Sequence, residues 1–354
     1  MQTFLVTGGA GFIGSNFIRL LLDECDDAFV VNVDLLTYAA DPCNLAGVEG
    51  DGRYAFVRAD ARDASAMAGV FSRFAPDVVI HFAAESHVDR SIAHPLLFQE
   101  TNVGATVALL EAARSHWERG GGFRDGCMFV HVSTDEVYGD LPLEPVRPTA
   151  SRASTSSACA PCPWDVDAFC EDASLRPRSP YAASKASAEM FVRSYGETYG
   201  LPAVVVRCSN NYGPHQHEEK LIPKAIACAL SGEPFPLYGS GANVRDWLYV
   251  KDCCRGILAA MRYGRAGEAY NLAGGCAMAN LQLIDALRAA LRDASAGRLA
   301  LGIEHVADRP GHDRRYAMNG EKAAAELGWR PEMPFADGLR TTVAWYLRRY
   351  FGEA

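Results

Sequence analysis

Two groups of residues in this sequence could carry out proton chemistry together. The run Met128-Phe129-Val130-His131-Val132 is apolar enough for a short buried strand, and it delivers Thr134, Asp135 and Glu136 at its end. In an open α/β sheet, ligands bind beyond the carboxyl ends of the strands. A hydroxyl and two adjacent carboxyl groups would then stand at a ligand site. Elimination of water needs such a pair: one carboxylate takes a carbon-bound proton, and one carboxylic acid protonates the departing hydroxyl. Equally, Asp135 and Glu136 could cap the next helix or face water. The second group is Tyr181 and Lys185, four residues apart and so on one face of a helix. A tyrosine, with a reference pKa of about 10, is a poor base at neutral pH. A lysine ammonium close by favours the phenolate and lowers that value. On an exposed helix face the same pair would carry no chemistry.

The elements around these groups give them a context. Gln2 to Thr7 reads as an apolar strand entering Gly8-Gly9-Ala10-Gly11-Phe12-Ile13-Gly14, followed by a helical pattern from Asn16 to Leu22. Glycines between a strand and a helix are what a pyrophosphate on a helix N-terminus requires. A second strand, Phe29 to Val33, ends at Asp34, 20 residues beyond Gly14. That is the spacing of a carboxylate on the adenosine ribose, and it disfavours a 2′-phosphate, so the expected cofactor is NAD. Its positive nicotinamide ring would also favour a Tyr181 phenolate, which could take a hydroxyl proton while the carbon beneath loses hydride.

Further strands are expected at Tyr54 to Val57, ending near Asp60 and Ala61, and at Val78 to Phe82, followed by the loop Ala83-Ala84-Glu85-Ser86-His87-Val88-Asp89-Arg90. Ser86 and Arg90 could face a substrate there, although His87, Asp89 and Arg90 could equally form a surface ion-pair cluster. A helix is expected from about Pro95 to Trp117, a turn at Gly120-Gly121-Gly122, a helix from Pro180, and a strand from Ala203 to Arg207. Strands alternating with helices predict a doubly wound parallel α/β sheet of the Rossmann type. The expected division is an NAD-binding domain over 1–200, with an excursion at 141–179, and a smaller C-terminal α/β substrate domain over 201–354 with segments returning to the sheet. In the excursion periodicity fails and Pro161 and Pro163 break helices, which suggests a flap or a variable surface loop. Leu281, Ile284 and Leu287 form a helical stripe expected in the core.

Composition limits the alternatives. The 354 residues suffice for one large α/β unit or a nucleotide-binding domain with a smaller partner. A net charge of −9 argues against a general nucleic-acid binder, and there is no run of about 18 apolar residues to span a membrane. The N-terminus enters a strand directly, without a basic targeting segment, and a cytoplasmic location is expected. Eleven cysteines raise the question of a metal or disulfides. However, Cys159 and Cys162 form a single CxxC with no second pair, and Cys253-Cys254 fall in a helical segment where they read as packing residues, so no metal is assigned.

Together, the glycine loop, Asp34 and Tyr181/Lys185 resemble the extended short-chain dehydrogenase/reductase family. The stretches AAESHVDRSI (83–92), STDEVYG (133–139), NNYGPHQHEEKLIP (210–223), VRDWLYVKD (244–252) and ADRPGHDRRY (307–316) are similar to those of its dTDP-glucose 4,6-dehydratases. The likeness runs from about Gln2 to Tyr346. Its most specific part is Thr134-Asp135-Glu136, because epimerases of the same fold generally lack the Asp-Glu pair. The sequence departs from the family at Cys276 to Ala279, which lacks the usual Asn-Glu, and in the 150–178 excursion.

The resemblance implies a hydro-lyase acting on dTDP-glucose, in deoxysugar pathways such as dTDP-rhamnose synthesis. Tyr181 would deprotonate the C4 hydroxyl as hydride passes to NAD, with Thr134 bonded to that oxygen and Lys185 tuning Tyr181. Glu136 would remove the C5 hydrogen while Asp135 protonates the C6 hydroxyl, before hydride returns to C6. Cofactor contacts are expected from Gly8, Gly11, Phe12, Ile13, Gly14, Asp34, Thr37, Asp60, Ala61, Phe82, Ala83, Ala84, Thr101, Tyr181, Lys185 and Asn211. Substrate contacts are expected from Ser86, Arg90, Thr134, Asn210, Lys220, Leu221, Pro236, Tyr238, Arg245, Asn280, Arg309 and His312. Of these, Tyr238 would stack on the base and Arg245 and Arg309 would hold the diphosphate. A homodimer through the helices near 95–117 and 180–199 also follows from the resemblance. The alternatives are a sugar-nucleotide epimerase or decarboxylase and, in a different class, a catalytically silent NAD-binding regulator.

Overall fold

A computed structural model describes residues 2–141 and 168–351. Seven parallel strands form the central sheet, in the spatial order Ala269–Leu272, Ala203–Cys208, Met128–Thr134, Val78–His81, Gln2–Thr7, Ala28–Asp34 and Tyr54–Arg58. Parallel strands covered on both faces must be apolar on both faces. Leu5 and Val6, Val30 and Val31, Val79 and Ile80, and Phe129 and Val130 are accordingly all buried. One face packs on the helices Phe12–Glu24 and Val250–Tyr263, the other on Ala64–Phe74, Ala105–Trp117 and Pro180–Tyr199. A second, smaller part holds the short strands Asn210–Tyr212, Val244–Tyr249 and Ala277–Ala279, the pair Phe235–Tyr238 and Ile303–Val306, and a core of its own. The chain after 200 thus alternates between the two parts: it contributes the strands Ala203–Cys208 and Ala269–Leu272 and the helices Val250–Tyr263 and Glu321–Leu327 to the large sheet, with smaller-part elements before, between and after them.

Two expectations change, and the expected glycine turn is found as the tip of a hairpin. The single helix from Pro95 to Trp117 is divided into Pro95–Phe98, a wide π-type turn Gln99–Gly104, and Ala105–Trp117. At the wide turn Asn102 is buried, and its side-chain amide bonds both the N–H and the C=O of Glu85, which draws the turn toward that loop. Leu281 is exposed, and the buried stripe runs through Leu283, Ile284 and Leu287 instead. Gly120 and Gly121, both at positive φ, close a short antiparallel hairpin of Glu118–Arg119 with Gly122–Phe123. Cys253 and Cys254 are buried on the helix Val250–Tyr263. Cys159, Cys162, Pro161 and Pro163 lie outside the described residues. No helix among the described residues is long and apolar enough to cross a membrane.

One buried ion pair joins the catalytic-side helix to the sheet. Glu189, on the helix Pro180–Tyr199, accepts from Arg207 Nε and Nη2 at distances down to 2.7 Å, and both residues are almost fully buried. Removing one partner leaves the other charge uncompensated in a dry interior. Glu189→Gln is therefore expected to lower the unfolding free energy by about 3–5 kcal/mol. The measurement is the denaturant midpoint, with an unchanged slope.

Candidate active site

The glycine loop is shaped by close backbone approach. Gly8 has φ +72°, and a Cβ there would lie 2.7 Å from Ala83 N; one on Gly14 would lie 2.3 Å from Gly8 O. A Cβ on Gly11 would meet only Gly8 O, at 3.2 Å, and Gly11 lines a deep cavity at the strand ends. Gly11 also precedes the helix Phe12–Glu24, whose first-turn amides have no partner within the helix and lie along the same cavity. A cradle of free amides at a helix N-terminus suits a pyrophosphate. Asp34 accepts from Ala10 N at 2.9 Å and Leu36 N at 2.8 Å, which fixes its carboxyl at the second strand end. Asp60 is gripped by Arg62 through Nε and Nη2, and these bonds hold its pKa below the ordinary value. The residues present therefore fit NAD. Thr37, Ala61, Phe82, Ala83, Ala84, Thr101, Lys185 and Asn211 all line this cavity with them.

A second cavity lies between the sheet and the smaller part, lined by Leu221, Pro236, Tyr238, Arg245, Asn280, Arg309 and His312. Ser86, Glu136, Asn210, Asn211 and Lys220 border both cavities, so Glu136 stands where they meet. Arg90 lines neither. Its guanidinium lies 3.7 Å over the Tyr38 ring and 3.2 Å from Glu85 Oε2, an aromatic face and a buried carboxylate that outcompete an open cavity. Asp89 does not pair with Arg90 either. It accepts from Tyr238 OH at 3.1 Å and faces Arg309 Nε at 3.3 Å, while Arg309 lies over the Tyr238 ring. Arg245 stacks on Tyr316 at 4.2 Å and donates to Asp313 O at 3.0 Å. Sequence reading missed Arg62, Glu219, Asp313, Tyr316 and Trp247 as cavity walls. All but Arg62 sit inside the quoted stretches 210–223, 244–252 and 307–316, which was the available signal.

At the centre, the strand Met128–Thr134 runs into a one-turn 3-10 segment, Asp135–Tyr138. Thr134 Oγ1 donates to Asp135 Oδ1 at 3.1 Å and accepts from Glu136 N at 3.3 Å. Asp135 Oδ2 is buried without a partner. Burial, and then the neighbouring Glu136, push the Asp135 pKa well above its ordinary value. Burial also raises Glu136, but Arg245 and Lys220 oppose the rise. The pair is thereby split into an acid that keeps its proton and a carboxylate with cations facing it.

Tyr181 differs from expectation. Burial raises its pKa first, Glu136 and Asp135 raise it further, and a hydrogen bond with Thr134 works the other way. Lys185 donates to Val132 O at 2.7 Å, and burial lowers its own pKa to about 8. The protein's own groups therefore hold Tyr181 as a phenol, because a dry environment, and after it Glu136, favour the neutral form, while the Lys185 ammonium is committed to a backbone carbonyl. Among the described residues no group of three or more histidine, cysteine or acidic side chains stands ready for a metal ion.

The raised Asp135 pKa makes a stability prediction. An unfolded aspartate ionises near pH 3.9, whereas folded Asp135 keeps its proton to much higher pH. Between the two values the native state binds a proton that the unfolded chain has released, so stability falls as pH rises; below the unfolded value there is no difference. Asp135→Asn removes this loss. Its stability relative to wild type is expected to increase as pH rises above about 4, read from denaturant unfolding across a pH series.

The NAD dependent epimerase/dehydratase family matches residues 4–273. A dTDP-glucose 4,6-dehydratase of Shigella flexneri is 47% identical over 352 residues, 97% of this chain and 92% of that protein. One of Haemophilus influenzae is 42% identical over 98% of both chains. The structure of a Streptomyces venezuelae dTDP-glucose 4,6-dehydratase with NAD and TYD bound superposes with a TM-score of 0.83 and 44% identity, covering 99% of this chain and 98% of that one. That of Bacillus anthracis, in complex with NAD, gives a TM-score of 0.82 and 38% identity, covering 99% and 98%. With its glycine cradle, split carboxyl pair and two joined cavities, this chain belongs to the NAD dependent epimerase/dehydratase family, in its dTDP-glucose 4,6-dehydratase branch.

Proposed function

We propose that the protein converts dTDP-glucose to dTDP-4-keto-6-deoxyglucose and water. The carrying observation is the buried Asp135 next to Glu136, with Glu136 at the junction of the two cavities, because epimerisation at C4 needs no such pair. NAD held along the glycine cradle supplies a reversible store for the C4 hydride, returned at C6, and a positive ring that offsets the carboxyls acting on Tyr181. Tyr181 accepts the C4 hydroxyl proton, and Thr134 keeps the oxygen in place. The C4 ketone acidifies the C5 hydrogen. Glu136 takes that proton, and Asp135 gives its own to the C6 hydroxyl, which leaves as water. As C6 is reduced, Glu136 returns its proton to C5. The proton left on Tyr181 balances the one lost by Asp135, and exchange with solvent restores both.

On the same reading Arg245 and Arg309 hold the diphosphate, Tyr238 faces the base, and Ser86, Asn210, Lys220, Leu221, Pro236, Asn280 and His312 complete the substrate wall. Supporting this, all of them line the second cavity. The division into 1–200 and 201–354, a cytoplasmic location, service to a deoxysugar pathway such as dTDP-rhamnose synthesis, and a homodimer belong to the same proposal. The exposed Leu96, Met190 and Phe191 near the two candidate dimer helices support the last.

Purified protein incubated with dTDP-glucose is expected to release one water per sugar, followed by mass and by the alkaline absorbance of a 4-keto sugar. Glu136→Gln is expected to slow this by about 10²–10⁴-fold while the protein remains folded. Water loss from UDP-glucose alone would move the nucleotide assignment. No water loss from either sugar would remove the dehydratase reading.

A further inference from the structure

The two carboxyls of the elimination step sit on a turn of only four residues, Asp135–Tyr138. A single 3-10 turn has poor hydrogen-bond geometry and little stiffness of its own. Something outside it must hold Asp135 and Glu136 to the sub-ångström tolerance that proton transfer needs. Asp135 and Glu136 point into the cavities, while Val137 and Tyr138 line neither and are buried behind them.

Tyr138 is tied at the back from three sides. Its hydroxyl accepts from Arg207 Nη1 at 2.6 Å and donates to Asn271 Oδ1 at 2.8 Å. Its ring stacks on Phe169 at 4.9 Å and an angle of 12°, with the Arg207 guanidinium on it at 4.8 Å. Arg207 and Asn271 belong to the two neighbouring strands of the sheet. Phe169 belongs to the segment that re-enters the described structure, and that segment is itself pinned: Asn271 Nδ2 donates to Phe169 O, and Arg176 N donates to Val137 O at 3.0 Å. Gly139 then leaves the turn at φ +85°, where a Cβ would lie 2.3 Å from Arg176 O.

We infer that Tyr138 is a positioning residue for the elimination step, fixing the Asp135–Glu136 turn to the sheet through Arg207, Asn271 and Phe169. The inference rests on the 4,6-dehydration reading and deepens it. It also separates the two halves of the reaction. Tyr181 is carried by a 20-residue helix and the Thr134 backbone by a sheet strand, so the C4 oxidation groups depend less on the turn than Asp135 and Glu136 do, although Thr134 Oγ1 bonds to both of them. Loosening Tyr138 should therefore slow the loss of water and leave the preceding oxidation intact.

The test is Tyr138→Phe in the full chain with NAD bound, which keeps the ring contacts and removes the hydroxyl. The expected result is a kcat about 10²-fold lower with KM for dTDP-glucose unchanged, and a steady-state rise in reduced-nicotinamide absorbance that wild type does not show. Wild-type kcat, or a lower kcat without that rise, would overturn the inference, the latter because the loss would then lie before elimination. If Tyr138→Phe does not fold, Phe169→Leu, which orphans no buried donor, is expected to give the same signature more weakly, and its absence counts equally against. Should wild type fail to dehydrate dTDP-glucose, the functional reading falls, yet amide hydrogen exchange over 135–138 still decides the positioning role: faster in the variant supports it, unchanged refutes it.

Discussion

Two carboxyl groups on consecutive residues, taken out of water together, cannot both ionise cheaply. Asp135 and Glu136 are in that position, and much of the surrounding structure follows from how the conflict is resolved. Burial and the neighbouring Glu136 push the Asp135 pKa well above its ordinary value, outweighing Arg245 and the Thr134 hydroxyl. Glu136 faces the side of the site where Arg245 and Lys220 stand. The strand end, the short turn and the small part beyond residue 200 are all needed to keep these two environments different within a few ångströms.

The same constraint explains why the site draws on both parts of the molecule. The sheet supplies the cofactor cradle, Thr134 and Tyr181, all at carboxyl ends of strands or on the helix beside them. The cations that oppose Glu136 protonation come from the later chain, on Val244–Tyr249 and at Lys220. Neither part alone would present an acid beside a base. Folding the smaller part onto the sheet therefore completes the proton chemistry as well as closing a binding cavity.

How much of this was legible in the sequence depended on how local its physics was. The glycine loop, Asp34 and the Thr134-Asp135-Glu136 end each follow a strand in a recognisable spacing, so type and spacing sufficed even though their contacts, such as Ala10 N with Asp34, reach across the sequence. The strand Ala269–Leu272 has only four residues, two of them Tyr270 and Asn271, and its place is fixed by pairing with Ala203–Cys208, which no local pattern displays. The contacts of Arg90 were not legible because its partner ring, Tyr38, lies far away in sequence. Leu281 was misread only at the start of the stripe: Ile284 and Leu287 are buried as expected, but Leu283 completes the buried face and Leu281 is exposed. Tyr181 and Lys185 were seen as a pair, but their electrostatics are set by Val132, Asp135 and Glu136, which only the tertiary structure brings to them.

The contact of Asp89 with Arg309 and Tyr238 changes what ligand binding means at the second cavity. A resident carboxylate already occupies the cation that a phosphate group would seek. Association is then an exchange of one anion for another, and its free energy is a difference between two similar attractions. A ligand with a single weak negative charge gains little from such a trade, whereas a doubly charged group that reaches Arg245 as well gains from both. On the proposed reading, selectivity for a diphosphate would then come from this competition inside the protein, because only a group that also reaches Arg245 offsets the displacement of Asp89.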